Sequence, residues 1–134
     1  MNDRLFLDTS GLMCLFDQDD FRHKQANQHF KSAVSLLTTN YVLAEFVPLA
    51  QVRKLRRKNA LNFLKTLVLL PRLELVWIDD EYHNRGMELL ENRLDKTYSL
   101  CDAISFLIMK RQNLLEALTT DEHFDQEGLV RLLK

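Results

Sequence analysis

Four acidic residues stand where the surrounding sequence pattern asks for something else. Asp8 closes the short apolar run Arg4–Leu7, and Asp121 follows Ala117-Leu118-Thr119-Thr120. Asp102 opens the most apolar stretch of the chain, three residues after Ser99. Glu45 shares a predicted helix face with Val42, Leu49 and Val52, a face expected to be buried. Each acid has a plain structural role open to it. Asp8 and Asp121 suit helix or turn caps, Asp102 suits a capping arrangement with Ser99, and Glu45 suits an ion pair with a nearby Arg.

The set says more than its members. Open α/β sheets gather active groups at the carboxyl ends of their strands, and all four acids fall at an element end or on a buried stripe near that edge. Carboxylates brought so close cannot all stay ionised without a counter-charge, which a hard divalent cation with oxygen ligands supplies. Mg²⁺ or Mn²⁺ is expected, since the histidine and thiolate ligands that suit zinc are absent from the set. His23, His29, His83 and His123 show no ligand spacing and are read as solvated or partly buried.

Positioning these side chains requires alternating strands and helices, and the pattern supplies them. Arg4–Leu7 reads as a strand leading into the possible caps Asp8-Thr9-Ser10-Gly11 and a helix Leu12–Phe16. Phe21–Ala33 carries Phe21, Ala26, Phe30 and Ala33 at close to helical spacing, and Ser35–Thr38 is a strand. Asn40 can cap a long helix with the stripe Val42, Phe46, Leu49, Val52 and Leu55, kinked rather than broken by Pro48. Asn59–Leu70 is a helix ended by Pro71, Leu73–Ile78 a strand, and Asp80–Leu94 a helix with Tyr82, Met87, Leu90 and Leu94 inward. Ala103–Met109 is apolar nearly all round, so its helix should be central. Glu116–Thr120 makes a strand, Asp121–Phe124 a turn, and Leu129–Leu133 a closing edge strand. The order points to an α/β fold with a mainly parallel sheet and right-handed crossovers.

Composition bounds the alternatives. At 134 residues the chain is expected to form one domain, 1–134, with a real core. Only 3 Gly and 2 Pro argue against low-complexity disorder and against a turn-rich sandwich. Because 18 Lys+Arg meet 19 Asp+Glu, any nucleic-acid binding must come from a local basic patch. Cys14 and Cys101 lie in apolar runs without C-x-x-C spacing and read as buried reduced thiols, which suits a cytoplasmic protein. The polar start Met1–Arg4 and the lack of any apolar run near ~20 residues argue against secretion and membrane insertion.

Taken in order, Leu7-Asp8-Thr9-Ser10 with Leu12, Asn40-Tyr41-Val42-Leu43-Ala44-Glu45-Phe46, Tyr98-Ser99-Leu100-Cys101-Asp102-Ala103-Ile104-Ser105-Phe106 and Ala117-Leu118-Thr119-Thr120-Asp121-Glu122-His123-Phe124 resemble the PIN-domain ribonucleases, most closely their VapC-like toxin branch. The resemblance spans nearly the whole chain, and it is the conjunction of segments that is specific. It implies a single PIN-like domain with a doubly wound sheet of order 3-2-1-4-5 and helices on both faces. It also implies Mg²⁺ or Mn²⁺ held by Asp8, Glu45, Asp102 and Asp121, with Thr9 helping to position ligand or water and Asp125 as a further outer acid. The implied activity is cleavage of single-stranded or loop RNA to leave 5′-phosphate ends. A small antitoxin that fills the acidic pocket and a homodimer are implied by kinship.

Such chemistry asks only that the protein hold the ion, so neither a Ser-His pair nor a catalytic Cys is required. Arg53-Lys54-Leu55-Arg56-Arg57-Lys58 supplies positive charge for RNA, with Arg53, Lys54, Arg56 and Arg57 as possible phosphate contacts. The run is expected at a helix C-terminus, where cations are favourable without RNA. A HAD-type phosphatase would need a second Asp where Ser10 stands, and a receiver domain built on Asp79-Asp80 leaves Glu45 and Asp102 unexplained. The remaining rival is a catalytically silent PIN-like module that binds RNA or protein.

Overall fold

Residues Leu5, Phe6 and Leu7 are all buried, as a strand must be when both faces of its sheet are covered. In the computed structural model, which describes residues 4–134, this strand is the middle one of five. They are β1 (Arg4–Leu7), β2 (Ser35–Thr39), β3 (Leu73–Val76), β4 (Glu116–Leu118) and β5 (Val130–Arg131), all parallel, in the order β3-β2-β1-β4-β5. The helices are α1 (Thr9–Phe16), α2 (His23–Ser32), α3 (Asn40–Val52), α4 (Arg57–Val68), α5 (Asp80–Glu91), α6 (Leu100–Arg111) and α7 (His123–Gln126). The chain steps outward from β1 to β3, then crosses back to β4 on the other side of β1. Right-handed crossovers place the helices of the two halves on opposite faces. The order reverses between β1 and β4, the point at which such sheets bind ligands. This is the expected α/β sheet in the expected order.

Two close approaches set the geometry around that point. A Cβ on Gly11 would lie 1.9 Å from the Leu118 carbonyl oxygen, so α1 presses directly on the end of β4. A Cβ on Gly86 would lie 2.7 Å from Ile104 Cδ1, where α5 crosses α6. Gly11→Ala forces backbone apart at the β1–β4 junction, and we expect it to cost at least about 3 kcal/mol, read as a lower melting temperature or loss of soluble protein. The central helix α6 is buried over Cys101–Phe106 and at Ile108 and Met109, which matches its lack of a polar face.

Several sequence expectations are corrected. Helix α3 buries Val42, Phe46 and Ala50, because Phe46 packs among Phe16 and Phe63 at centroid distances of 5.7 and 5.5 Å. That rotation leaves Glu45 exposed and Val52 77 % exposed, so the expected burial of Glu45 does not hold. The α3 cap is Thr39, which accepts from Val42 N, while Asn40 Oδ1 accepts from Ile78 N at 2.6 Å. The helix continues through Pro48. Phe21 is 82 % exposed and lies outside α2, Met87 faces solvent because the glycine contact turns Gly86 inward, and Leu94 is exposed in the turn beyond α5, which ends at Glu91 rather than Leu94.

Strands β3, β4 and β5 are shorter than their apolar runs. Ile78 N and Thr120 N leave the ladder to meet Asn40 and Ser10 instead. The basic run does not close a helix. Arg53 follows α3, Lys54 turns through φ 60°, and Arg57 and Lys58 open α4, so the dipole argument fails for the last two. The start read at Met1–Arg4 falls largely on residues 1–3, outside the described residues. Among the described residues no helix is long and apolar enough to cross a membrane.

Candidate active site

Asp8 occupies the N-cap position of α1, yet its carboxylate makes no cap hydrogen bond. Oδ2 instead accepts from Thr119 Oγ1 at 2.7 Å and from Ser10 Oγ at 3.2 Å. Those hydroxyls lie 3.1 Å from each other, and their oxygens also accept from backbone, Ser10 Oγ from Thr120 N and Thr119 Oγ1 from Asp121 N. One network thus joins the turn after β1 to the turn after β4. Ser10, which argued against a second acid, is one of its members. The plain capping role of Asp8 is thereby excluded. Asp8 is 4 % exposed. Burial pushes its carboxyl up to about 7, the Thr119 hydrogen bond opposes the rise, and the charges of Asp102 and Glu45 add to it.

Asp102 is fixed by a complete capping box: its N–H donates to Ser99 Oγ at 3.0 Å and its Oδ2 accepts from Ser99 N at 3.1 Å. Capping leaves the carboxylate directed at the β1–β4 junction, because it also meets His123 Nδ1 at 2.9 Å. Asp121 Oδ1 accepts from His123 N at 2.9 Å and lies 3.4 Å from His123 Nδ1. One ligand atom each from Asp102, Asp121 and His123 lie within 4.8 Å of one another. The turn carrying Asp121 and His123 is anchored by Glu127, whose side chain is 5 % exposed and pairs with Arg93, Lys110 and Tyr98. Those partners hold the Glu127 carboxyl below its usual range against the opposing effect of burial.

Glu45 stands on the rim, close enough for its charge to act on Asp8 and on the Cys101 thiol. The Thr9 hydroxyl is buried with no hydrogen-bond partner. Cys14 and Cys101 are buried and free, and burial pushes the Cys14 thiol up to about 11. Arg53 is engaged with Asp17 and Asp20 at 3.1 and 3.0 Å, whereas Lys54, Arg56 and Arg57 are exposed. Asp125 is an exposed residue of α7, ion-paired with Arg131 at 2.8 Å. Asp79 caps α5 by accepting from Tyr82 N.

The PIN-domain family model matches residues 5–128, most of the chain. This chain belongs to the PIN-domain family. This PIN domain is 30 % identical over 129 residues to VapC20 of Mycobacterium tuberculosis, named a 23S rRNA-specific endonuclease, covering 96 % of this chain and 97 % of that one. The crystal structure of Mycobacterium tuberculosis VapC20, described as a sarcin-ricin loop cleaving toxin, aligns with a TM-score of 0.87 at 24 % identity over 97 % of this chain and 99 % of that one. VapBC2 from Rickettsia felis, bound to a promoter DNA fragment, aligns with a TM-score of 0.62 at 15 % identity over 96 % of each chain. At those identities the two structures speak for the fold.

Of the predicted acids in this PIN domain, Asp102 and Asp121 come together with His123, Asp8 is joined through Thr119 to the turn of Asp121, and the charges of Asp102 and Glu45 act on Asp8. Sequence reasoning missed Ser10, Thr119 and His123. The two hydroxyls left a weak signal, a hydroxyl residue two positions from Asp8 and another two positions from Asp121. His123 is partly buried, as expected, and it stands between two of the acids, a place that its sequence spacing did not signal.

Proposed function

We propose that the chain is a divalent-metal-dependent endoribonuclease, the toxin of a toxin–antitoxin pair, with residues 1–134 as one PIN domain. The observation that carries the reading is the buried Asp8 carboxylate facing the charges of Asp102 and Glu45, an arrangement unfavourable in the absence of a cation. The donor set suits a hard ion, with carboxylate oxygens from three elements.

Asp8, Asp102 and Asp121 would hold Mg²⁺ or Mn²⁺, with Glu45 at the open side. When bound, such an ion offsets negative charge on the phosphate and lowers the pKa of water at the site. Ser10 and Thr119 keep the Asp8 carboxylate in one orientation, and the Ser99 box does the same for Asp102. The N-terminus of α6 adds its own positive field at that point. Lys54 and Arg56 are exposed and placed to meet RNA phosphates, Arg57 is exposed but donates to Gln51 Oε1 at 3.3 Å, and Arg53 is committed to Asp17 and Asp20.

Full-length similarity to a relative named for 23S rRNA cleavage supports ribosomal RNA as the first substrate to test. A small antitoxin over the acidic pocket, a homodimer and a cytoplasmic setting belong to the same reading. With purified protein, bacterial 23S rRNA and Mn²⁺, we expect a discrete cut with a 5′-phosphate end, lost in EDTA and restored by added Mn²⁺. Ion binding without any cleavage would instead favour the silent RNA- or protein-binding module.

A further inference from the structure

We propose that His123 is a nitrogen ligand of the same metal centre, which makes this chain selective for Mn²⁺ and later first-row ions over Mg²⁺. The inference rests on the metal-nuclease reading and adds a ligand to it. His123 opens α7 on the turn that carries Asp121, and the Asp121 carboxylate that accepts from its N–H holds the two residues in register. Nδ1 lies 2.9 Å from Asp102 Oδ2 and 3.4 Å from Asp121 Oδ1. The three ligand atoms lie within 4.8 Å of one another, and small side-chain adjustments bring them to the separations of about 4.2 Å or less that one ion with bonds of about 2.1 Å requires.

The far side of the ring decides where that nitrogen points. Nε2 is 3.1 Å from Thr97 Oγ1, and the ring stands edge-on to Tyr98 at a centroid distance of 5.1 Å. With Nε2–H donated to Thr97, the Nδ1 lone pair is aimed between two carboxylates, the same kind of outer support that orients histidine ligands at metal sites. Imidazole is a softer donor than carboxylate. One nitrogen in an oxygen cage raises affinity along the series from Mn²⁺ toward Zn²⁺ and does little for Mg²⁺. The competing role for His123 is that of an ion-pair partner to Asp102 and Asp121, which would step aside when an ion arrives.

Electron spin-echo envelope modulation of the Mn²⁺-loaded protein separates these roles without reference to activity. The proposal predicts ¹⁴N coupling from one imidazole in the wild type and its loss in His123→Gln. Calorimetric titration should show the Mn²⁺ dissociation constant rising at least about tenfold in that variant, with the Mg²⁺ constant changing less than about threefold. The wild-type spectrum decides the matter even if the variant folds poorly. Mn²⁺ bound without ¹⁴N coupling, or coupling that persists in a folded His123→Gln, overturns the ligand assignment alone. Absence of any Mn²⁺ binding overturns the nuclease reading along with it.

Discussion

Asp121→Asn is expected to lower RNA cleavage by at least about 10³-fold, about 4 kcal/mol of barrier, while the metal-free protein stays as stable as the wild type or becomes more so. The substitution removes a charge and keeps the shape. The Asn side-chain oxygen can still accept from His123 N, so the turn after β4 survives. What is lost is a carboxylate next to Asp102 and His123, where ligand atoms lie within 4.8 Å. Single-turnover cleavage of 23S rRNA and thermal melting in EDTA check the two halves together. Cleavage that survives Asp121→Asn, with stability also unchanged, would return Asp121 to the role of a turn cap, which Asn fills as well as Asp.

Asp8→Asn is expected to act on stability in a direction set by pH. The Asp8 carboxyl sits at about 7 in the folded protein against 3.8 unperturbed. Between these values the native state keeps a proton that the unfolded chain has released, so in the metal-free protein this group's stabilising contribution is complete below pH ~4 and is lost as pH rises toward 7. At pH 8 the wild type therefore carries a buried charge that the variant lacks. Urea unfolding in EDTA should find Asp8→Asn the more stable by up to about 4 kcal/mol at pH 8, with that advantage gone at pH 4. The amide oxygen can still accept from Thr119 and Ser10, which keeps the comparison close to one of charge. An equal difference at both pH values would mean that Asp8 does not titrate in this range.

The sheet was legible because its signals are long and redundant. Leu5–Leu7 and Ala103–Met109 are apolar without a polar face, which only a central strand and a central helix tolerate. Asp8, Asp102 and Asp121 were legible because each interrupts such a segment at its end. Glu45 was read as a metal ligand on a buried face, and the residue is exposed. Its helix offers two stripes, Val42-Glu45-Leu49-Val52 and Val42-Phe46-Ala50, and only tertiary packing of Phe46 among Phe16 and Phe63 selects the second. His123 left no trace in one dimension, since Thr97 and Asp102, which flank the start of α6, are more than twenty residues away in sequence from His123. The basic run was visible as composition, but Lys54 with φ 60° divides it between two helices and reverses the dipole argument at Arg57 and Lys58.

We propose that one cation gathers Asp8, Asp102 and Asp121, and thermal melting with added Mn²⁺ at pH 8 tests that most directly. Saturating millimolar Mn²⁺ should raise the wild-type melting temperature by roughly 5–10 °C, a gain of a few kcal/mol from binding the native state alone. Asp8→Asn should begin higher in EDTA and gain little. A wild type whose melting temperature is unmoved by Mn²⁺, or a variant that gains as much as the wild type, would contradict the account.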